Sequence, residues 1–304
     1  MSIKTCQMLL AEFEEKGITA KAEKLVFEGV GNNDVYNITA PFEQSSEFII
    51  AGRVEARDSE QSRVIFFVEK DGKWVPKEGA PIFDLQDPFF TKIAGELIIG
   101  GVQTYPHPEN PDWLAWRTIF YKGQDIFTLE PFFKGPDGMK DLRLAELKSG
   151  EIAVVTRPQG EKGGRGKIGF VKIKSLLDLS IRVIEDAPLL EGQFVDEEWG
   201  GANEIHLLEE GLLGILGHVA CFDEQGDRHY YPMVFTLDGE TGVYSPMKLI
   251  ATRSMFLPGE SKRPDLMDVV FSGGLVRDGQ GKARLYAGIS DAEAQVMTID
   301  DPFD

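Results

Sequence analysis

The stretch DVYNI at residues 34–38, which leads on to GRVE at 52–55, opens a pattern that recurs along the chain. In each copy a polar residue precedes a short apolar segment, a turn follows, and a second apolar segment ends in polar residues. Four further copies begin at QDPFF (86–90), DLRL (141–144), NEI (203–205) and DLMDV (265–269). They end in GVQ (101–103), TRPQ (156–159), GH (217–218) and GISD (288–291). Repetition of this kind is typical of a repeat architecture.

The spacing of the copies favours a β-propeller. Their polar openers lie at positions 34, 87, 141, 204 and 268, at intervals of 53, 54, 63 and 64 residues. This period suits a blade of four strands with long loops, and five blades fill the chain. The sequence therefore predicts an all-β, five-bladed β-propeller that forms one domain over residues 1–304. A short N-terminal helix is expected at residues 4–16 and a second helical piece at 175–179.

The composition excludes several classes of protein. The net charge of −18 disfavours nucleic acid and anionic membranes as partners, whereas neutral sugars remain compatible. Two cysteines provide no disulfide framework. The longest nearly uncharged apolar run, residues 211–222, is too short to span a membrane, and acidic residues follow too soon after Met1 for a signal peptide. We therefore expect a cytoplasmic protein.

The repeat also predicts where a binding site lies. In a propeller blade the innermost strand starts at one face of the central channel, and the antiparallel second strand ends at the same face. The polar openers and the polar strand ends of all copies should therefore meet in one funnel. Asp and Asn also occur at such positions for purely structural reasons, so the expectation rests on the whole set of copies.

Motifs for other chemistries are absent or incomplete. The run GVGNND at 29–34 lacks the third glycine of a dinucleotide fingerprint, and GGRGK at 163–167 has the wrong spacing for a phosphate loop. His206 and His218 with Glu204 match no metal-binding spacing, so no metal is expected. The carboxylates remain, and glycoside hydrolysis needs two of them, one as acid and one as base or nucleophile. The candidates from the repeat are Asp34, Glu55, Asp87, Glu204, Asp265 and Asp291.

Basic residues accompany these carboxylates at the same repeat positions. They would balance the negative charge, or bind an anion such as phosphate. The candidates are Arg53, Arg143, Arg157, Lys262 and Arg263. Pro88 is expected to restrict Asp87 to extended backbone and so to fix the direction of its side chain.

Several segments resemble a little-characterised family of five-bladed propellers of unknown function. The resemblance rests on GNNDVYNITAPF (31–42), QDPFF (86–90), TRPQG (156–160), GGRGK (163–167), WGGANE (199–204), GHVA (217–220), KRPDL (262–266) and LYAGISDAE (285–293). That family is similar to the mannoside phosphorylases and mannosidases of glycoside hydrolase family 130, and more distantly to the arabinanases and xylosidases of family 43. The resemblance implies a central sugar site.

The two related families imply different roles for the same residues. The arabinanase-like relatives imply Asp34 as base, Asp87 as the residue that tunes a pKa, and Glu204 as acid. The phosphorylases imply that Asp87 is the acid and that inorganic phosphate is a co-substrate. Further sugar or phosphate contacts are expected from Asn37, Arg53, Glu55, Arg143, Arg157, His218, Lys262, Arg263, Asp265 and Asp291.

The sequence thus favours a glycosidase or glycoside phosphorylase that acts on mannosides and needs no other cofactor. A sugar-binding or sugar-sensing propeller without catalysis has the same funnel, and only turnover distinguishes the two. An interaction scaffold is the third alternative, but it does not require ionisable groups in the funnel.

Overall fold

A helix and a short strand precede the sheets in the structure, a computed structural model that describes residues 3–304. These elements are α1 (Cys6–Glu14) and β1 (Lys21–Lys24). The Thr5 side chain caps α1 by accepting a hydrogen bond from the Met8 backbone N–H at 3.3 Å. Glu15 is the C-cap, so the helix expected at residues 4–16 is confirmed with shorter bounds.

The first sheet contains the first copy of the repeat. Its strands are β2 (Asp34–Tyr36), β3 (Phe42–Gln44), β4 (Glu47–Glu55), β5 (Arg63–Lys70) and β6 (Lys73–Pro76). All pairings in it are antiparallel, and β4 lies at its centre with β2 and β3 along one edge. Asp71 and Gly72 connect β5 to β6 with φ angles of 52° and 77°, as a two-residue hairpin turn of this kind requires.

The second and third sheets are antiparallel meanders. The second has β7 (Gln86–Ile93), β8 (Glu96–Pro106), β9 (Leu114–Gly123) and β10 (Glu130–Lys134). The third has β11 (Arg143–Glu146), β12 (Ile152–Thr156) and β13 (Gly169–Ile173), with the short helix α2 (Gly160–Gly163) before β13. A 3₁₀ turn at Leu176–Asp178 confirms the helical piece expected at 175–179. It is followed by α3 (Ile181–Asp186), which the sequence analysis did not anticipate.

The fourth sheet combines two antiparallel meanders. The first comprises β14 (Trp199–Leu207), β15 (Leu212–Phe222), β16 (Arg228–Asp238) and β17 (Lys248–Leu249). The second comprises β18 (Asp268–Arg277), β19 (Lys282–Ile289) and β20 (Glu293–Asp300), with β1 paired to β20. A short parallel pairing of β16 with β18 joins the two meanders. The hydrogen bonds alone therefore divide the strands into four sheets, and they do not establish the expected count of five.

The fourth copy of the repeat begins earlier than expected. We placed its opener at Asn203-Glu204, but β14 starts at Trp199, so Glu204 lies beyond the middle of the strand. Glycines occupy the positions near the start of β14. A Cβ atom on Gly201 would lie 2.8 Å from the Asp141 carboxylate and 2.9 Å from the Arg157 side chain. The close packing excludes the polar side chain that marks the other copies.

Five clusters of buried apolar side chains form the core. One packs the first sheet against β7–β10, and the next packs β7–β10 against β11–β13. A third joins β11–β13 and α1 to β14–β17, and a fourth joins β15 and β16 to β18–β20. The fifth packs β19 and β20 against the first sheet. In residues 3–304 we find no helix with the length and apolar character needed to cross a membrane.

Replacing Gly273 by alanine should destabilise the contact between the first sheet and β18. A Cβ atom there would lie 1.7 Å from the Ile38 carbonyl oxygen, which is backbone and cannot rotate away. We expect a loss of about 2 kcal/mol or more in the free energy of unfolding, measured by urea titration. Gly239→Ala is the control, since its Cβ would lie 3.1 Å from the nearest atom and should cost about 1 kcal/mol or less. Equal effects of the two substitutions would contradict this packing.

Candidate functional site

Side chains from three of the sheets, and from the segment that leads into the third, line one charged cavity of about 270 Å³. This volume is close to the lower end of small-molecule sites in general. The cavity lies where inner strands of the sheets start and second strands end, as the repeat predicted. The residues that line it are Asn37, Arg53, Glu60, Gln86, Asp87, Lys140, Asp141, His218, Arg228, Tyr230, Arg263, Leu266, Val269, Phe271 and Asp291.

Four residues enter this cavity from a left-handed backbone conformation. Asn37, Asp87, Asp141 and Asp291 have φ angles of 44°, 48°, 57° and 50°, in a region that Asn and Asp tolerate better than other side chains. The expectation that Pro88 holds Asp87 in extended backbone is therefore wrong. The register of β7 against β8 shifts between Gln86 and Phe89, and this bulge turns the Asp87 side chain into the cavity.

The Asp87 carboxylate is bound by two donors from the first sheet. Asn37 Nδ2 donates to Asp87 Oδ1 at 2.8 Å, and Arg53 donates from Nη1 to the same oxygen at 3.1 Å. No hydrogen bond to the other carboxylate oxygen, Oδ2, is present among residues 3–304. Asp87 therefore has one oxygen fixed by the protein and one available to a ligand in the cavity.

Arg53 is in turn held by a buried carboxylate behind the cavity. Arg53 donates from Nη2 to Glu55 Oε2 at 2.8 Å, and the Tyr36 hydroxyl donates to Glu55 Oε1 at 2.7 Å. Lys262 forms an ion pair with the same carboxylate, and Ser62 donates a hydrogen bond to it. Burial alone would raise the pKa of Glu55, but Arg53, Lys262 and Ser62 lower it below its ordinary value. Glu55 and Lys262 thus support the site from behind, outside the cavity lining.

A second buried cluster lies on the side of the third sheet. Arg157 Nε is 3.4 Å from Asp141 Oδ2 and donates to the Gly200 carbonyl at 2.8 Å. His218 Nδ1 and Asn203 Oδ1 are hydrogen-bonded at 2.8 Å. Arg157 Nη1, Asp141 Oδ2 and Asn203 Nδ2 are buried and find no hydrogen-bond partner within residues 3–304. Buried polar atoms of this kind usually bind water or a ligand.

The charges of this second cluster are set by burial and by each other. Burial alone would raise the pKa of Asp141, but Arg157, His218, Lys140 and Arg143 lower it below its ordinary value. Burial lowers the pKa of His218 to about 3, with Asp141 opposing that shift and Arg157 supporting it. His218 is therefore a neutral hydrogen-bonding group near pH 7.

Arg143 lies behind the cavity beside Phe89. It donates from Nε to the Asn203 carbonyl at 2.7 Å, and its guanidinium carbon lies 3.8 Å from the centre of the Phe89 ring. Burial lowers the pKa of Arg143 to about 10, against the effect of Asp141, so it stays charged near pH 7. Arg143 positions β14 and balances the carboxylates around it.

Asp291 differs from the other carboxylates of the site. Burial raises the pKa of Asp291, Arg53 opposes this, and the negative charges of Asp87 and Glu55 raise it further. It follows β19 with a φ angle of 50° and lines the same cavity as Asp87. A carboxyl group with a raised pKa is suited to donate a proton.

Cations surround the mouth of the cavity. Arg228 and Arg263 both form ion pairs with Asp265, and Arg263 also lies 3.1 Å from Glu60. Lys140 lines the cavity without a carboxylate oxygen within 4.0 Å of its ammonium group in the part of the chain that the structure describes. Lys140 can therefore bind an anionic ligand without first breaking an ion pair.

Two predicted catalytic residues lie outside this cavity. Asp34 forms an ion pair with Arg57 and lines a neighbouring cleft of about 370 Å³. Glu204 bonds to His206 Nε2 at 2.7 Å and accepts from the Leu275 backbone N–H at 2.7 Å. Glu204 lies outside the cavity because β14 starts at Trp199, which places Glu204 further along the strand and away from the mouth of the cavity.

The candidate site residues named from the sequence omit six polar residues of the cavity. Asp141 was expected in the funnel only as the opener of the third copy of the repeat, and Lys140 precedes it directly. Arg228 and Tyr230 belong to a third strand, which the repeat argument did not cover. Glu60 and Gln86 complete the set. Within residues 3–304 no three His, Cys, Asp or Glu residues are arranged to hold a metal ion.

A nearly all-β chain with this charged cavity at the meeting of its inner strands fits the propeller-like fold of glycoside hydrolase family 130. The chain belongs to the family described as a protein of unknown function, DUF1861, whose model matches residues 11–304. The resemblance stated from the sequence segments is confirmed at this level. No curated protein matches the chain.

Solved structures give closer relatives. MPT-4, a mannose phosphorylase from Leishmania mexicana solved in complex with phosphate ion, is 36% identical over 98% of this chain and 93% of its own, with a TM-score of 0.90. MPT-1, a GDP-Man-dependent mannosyltransferase from the same organism, is 32% identical over 99% of this chain and 95% of its own, with a TM-score of 0.89.

A more distant structure supports the fold alone. It comes from work on the GH130 family of mannoside phosphorylases and its glycoside hydrolases that target β-1,2 mannosidic linkages in Candida mannan. It is 13% identical over 89% of this chain and 87% of its own, with a TM-score of 0.63.

The neutral His218 should make stability depend on pH in a defined window. Its pKa is about 3 in the folded chain and 6.5 ordinarily, so between these values the unfolded chain binds more protons. Stability is therefore fully present above pH 6.5 and is lost as pH falls, by about 1.4 kcal/mol per pH unit. In urea titrations at pH values from about 6 to 4.5, the free energy of unfolding of His218→Gln should fall less steeply with pH than that of the wild type. The difference should be about the amount just given per pH unit. Parallel curves for wild type and variant would show that His218 is protonated in the folded state.

Proposed function

We propose that the chain is a mannoside phosphorylase, which transfers a mannosyl group from a glycoside to inorganic phosphate. The observation that carries this proposal is the presence in one cavity of a carboxylate pair, Asp87 and Asp291, and an unpaired cation, Lys140. The 36% identity to a mannose phosphorylase over nearly the whole chain supports the same reaction.

We also infer that the fold is a five-bladed propeller. The eight-stranded sheet then comprises two blades, β14–β17 and β18–β20 with β1, linked by the short parallel pairing. The five apolar clusters support this arrangement, because they join the five groups of strands in cyclic order and the fifth cluster returns to the first group. In a closed ring of this kind the N-terminal strand β1 lies on the last blade.

The lining of the cavity suits both substrates. Lys140, Arg228 and Arg263 are cations with which a phosphate dianion would form charge-assisted hydrogen bonds. Asp87 Oδ2 and the polar side chains of Asn37, Asp141 and Tyr230, which line the same cavity, can bond to sugar hydroxyls. A neutral polyol satisfies donors and acceptors alike, which matches this mixed set.

The proposed reaction needs one proton transfer. A phosphate oxygen forms a bond to the anomeric carbon while the bond from that carbon to the leaving oxygen breaks. The leaving oxygen takes a proton, and the products are mannose 1-phosphate and the shortened glycoside. We assign the proton to the Asp87–Asp291 pair, in which burial and the neighbouring carboxylates raise the pKa of Asp291 and so favour its protonated form.

Glycosyl transfer from GDP-mannose is the second candidate. The 32% identity to a GDP-Man-dependent mannosyltransferase over 99% of the chain favours it. Both reactions bring a mannosyl group next to a phosphate-bearing group, which is the acceptor in phosphorolysis and the leaving group in transfer from GDP-mannose. The cations of the cavity suit either one. Hydrolysis, and sugar binding without turnover, remain the alternatives from the sequence, and the experiments below separate all four.

Phosphate should be required for turnover. We expect manno-oligosaccharides to yield mannose 1-phosphate in phosphate buffer and no product in a phosphate-free buffer, as measured by chromatography. Release of free mannose in both buffers would indicate a hydrolase, and product only from GDP-mannose a transferase. Lys140→Gln should raise the KM for phosphate about tenfold or more, because one charge-assisted hydrogen bond is lost. Lys148→Gln removes an exposed cation outside the cavity and serves as the matched control.

Substitutions of the three carboxylates to which the resemblance assigns catalytic roles should differ in their effect on activity. Asp87→Asn keeps the side-chain volume and should reduce kcat by ~10²-fold or more, as is usual for a lost acid–base group. Asp291→Asn should give a similar loss. Asp34→Asn and Glu204→Gln change groups outside the cavity, and we expect kcat within about tenfold of the wild type. An unchanged rate in Asp87→Asn would remove that residue from the mechanism, and a selective loss in Glu204→Gln would restore the arabinanase-like roles.

A further inference from the structure

A second cavity lies on the other side of β16 from the candidate site. Its volume is about 710 Å³, and it lies between the start of α1, the end of β15 and the start of β16. Side chains alternate between the two faces of β16. Arg228 and Tyr230 therefore line the candidate site, while His229 and Tyr231 line this cavity. We call it the thiol cavity, because Cys6 and Cys221 are among its lining residues.

The two cysteines of the chain meet at this cavity although they are far apart in sequence. Cys6 is the first residue of α1 and is 1% exposed, and Cys221 lies near the end of β15 and is half-buried. Both residues line the thiol cavity, and neither is in a disulfide. Both pack on the apolar cluster that joins α1 to β14–β17.

The surroundings give the two thiols different reactivity. The neighbouring thiol of each residue lowers the pKa of Cys221 and raises that of Cys6. Burial and the carboxylates Glu198 and Asp268 oppose the shift at Cys221, and His229 supports it. The Cys6 backbone N–H is bound to Glu198 Oε1 at 2.8 Å, so the start of α1 is held in place. Cys221 is both the more acidic and the more accessible of the pair, as expected of an attacking thiol.

We propose that Cys6 and Cys221 are a redox modification site, at which a peroxide converts the two thiols into a reversible disulfide that fastens α1 to β15. The fold already brings both side chains to one cavity and one apolar cluster, which is the arrangement that a disulfide between α1 and β15 requires. This proposal is independent of the proposed function.

The chemistry balances with hydrogen peroxide as the two-electron oxidant. The Cys221 thiolate attacks one peroxide oxygen, the O–O bond breaks, and the leaving hydroxide takes the thiol proton to form water. The resulting sulfenic acid is attacked by the Cys6 sulfur, which forms the S–S bond and releases a second water with the Cys6 proton. A small-molecule thiol reverses the reaction by exchange.

The disulfide would act on the stability of the fold. It would close a loop between residues 6 and 221, and loops of this length give a large reduction in the entropy of the unfolded chain. The candidate site should keep its ligands, since the side chains of β16 that line it point away from the thiol cavity. The modification would therefore lock the N-terminal helix without blocking the funnel.

The test is oxidation of the intact wild-type chain with equimolar hydrogen peroxide. We expect thiol titration of the denatured product to fall from two free thiols to none, and mass spectrometry to show a loss of about 2 Da with the Cys6 and Cys221 peptides cross-linked. The Tm should rise by about 4 °C or more, and dithiothreitol should restore both values. The affinity for phosphate, measured by calorimetry, should change less than about threefold on oxidation. A larger change would contradict the prediction that the disulfide does not affect the candidate site.

Cys6→Ser and Cys221→Ser are the matched variants. Each retains one thiol in the same fold, so peroxide should produce an oxidised cysteine with added oxygen and no rise in Tm. Cys6→Ser should react faster than Cys221→Ser, since it keeps the accessible sulfur. Separate sulfinic acids in the wild type, cross-linked dimers, or two thiols that persist under peroxide would each overturn the proposal.

Discussion

The buried guanidinium of Arg53 is the constraint on which the site depends. It is 5% exposed and is bound by Glu55 from its own strand and by Asp87 from the second sheet. A buried charge is tolerated only when partners replace its hydration, and such a group adds little to stability compared with apolar packing. The relative position of the first two sheets must therefore keep Asp87 within reach of Arg53. Arg157 imposes a similar requirement between the third and fourth sheets, because it directly follows β12 and donates to the Gly200 carbonyl of β14.

Backbone conformation and chemistry share the same residues in this fold. Asn37, Asp87 and Asp141 adopt the left-handed conformation that lets a strand begin with a bend, and their side chains then face the cavity. Asn and Asp are favoured there for the backbone alone. A structural requirement has thus placed amide and carboxylate groups around one cavity, and acid–base chemistry needs only that some of them face a ligand.

Sequence patterns predicted the positions of the strands more accurately than the placement of the side chains of the candidate site. Alternation and spacing placed the starts of β2, β7 and β18 within a few residues of the observed ones, because period and turn chemistry are local properties. Glu204 was misplaced because its direction depends on the bulge between Ala202 and Glu204 and on the start of β14 at Trp199, which local patterns do not encode. Asp34 was misplaced because its side chain pairs with Arg57 at a neighbouring cleft. Lys140 and Arg228 lie near the cavity only through the packing of distant sheets. Asp87 was found because its motif is specific, although its backbone conformation was predicted wrongly.

The acidic surface makes the cations of the cavity significant. A chain with a net charge of −18 repels an approaching phosphate at long range, and salt screens this effect beyond about 8 Å at physiological ionic strength. An anionic substrate must therefore be bound by short-range contacts. Arg228 and Arg263 already form ion pairs with Asp265, and Arg263 also pairs with Glu60. These ion pairs hold both arginines at the mouth but weaken their attraction for a further anion. Lys140 lacks such a partner in the described residues, and Arg53 lies deeper with its charge shared between two carboxylates. Selectivity for phosphate over bulk anions would then arise from the geometry of these donors around the sugar site, because the overall field of the protein acts against binding.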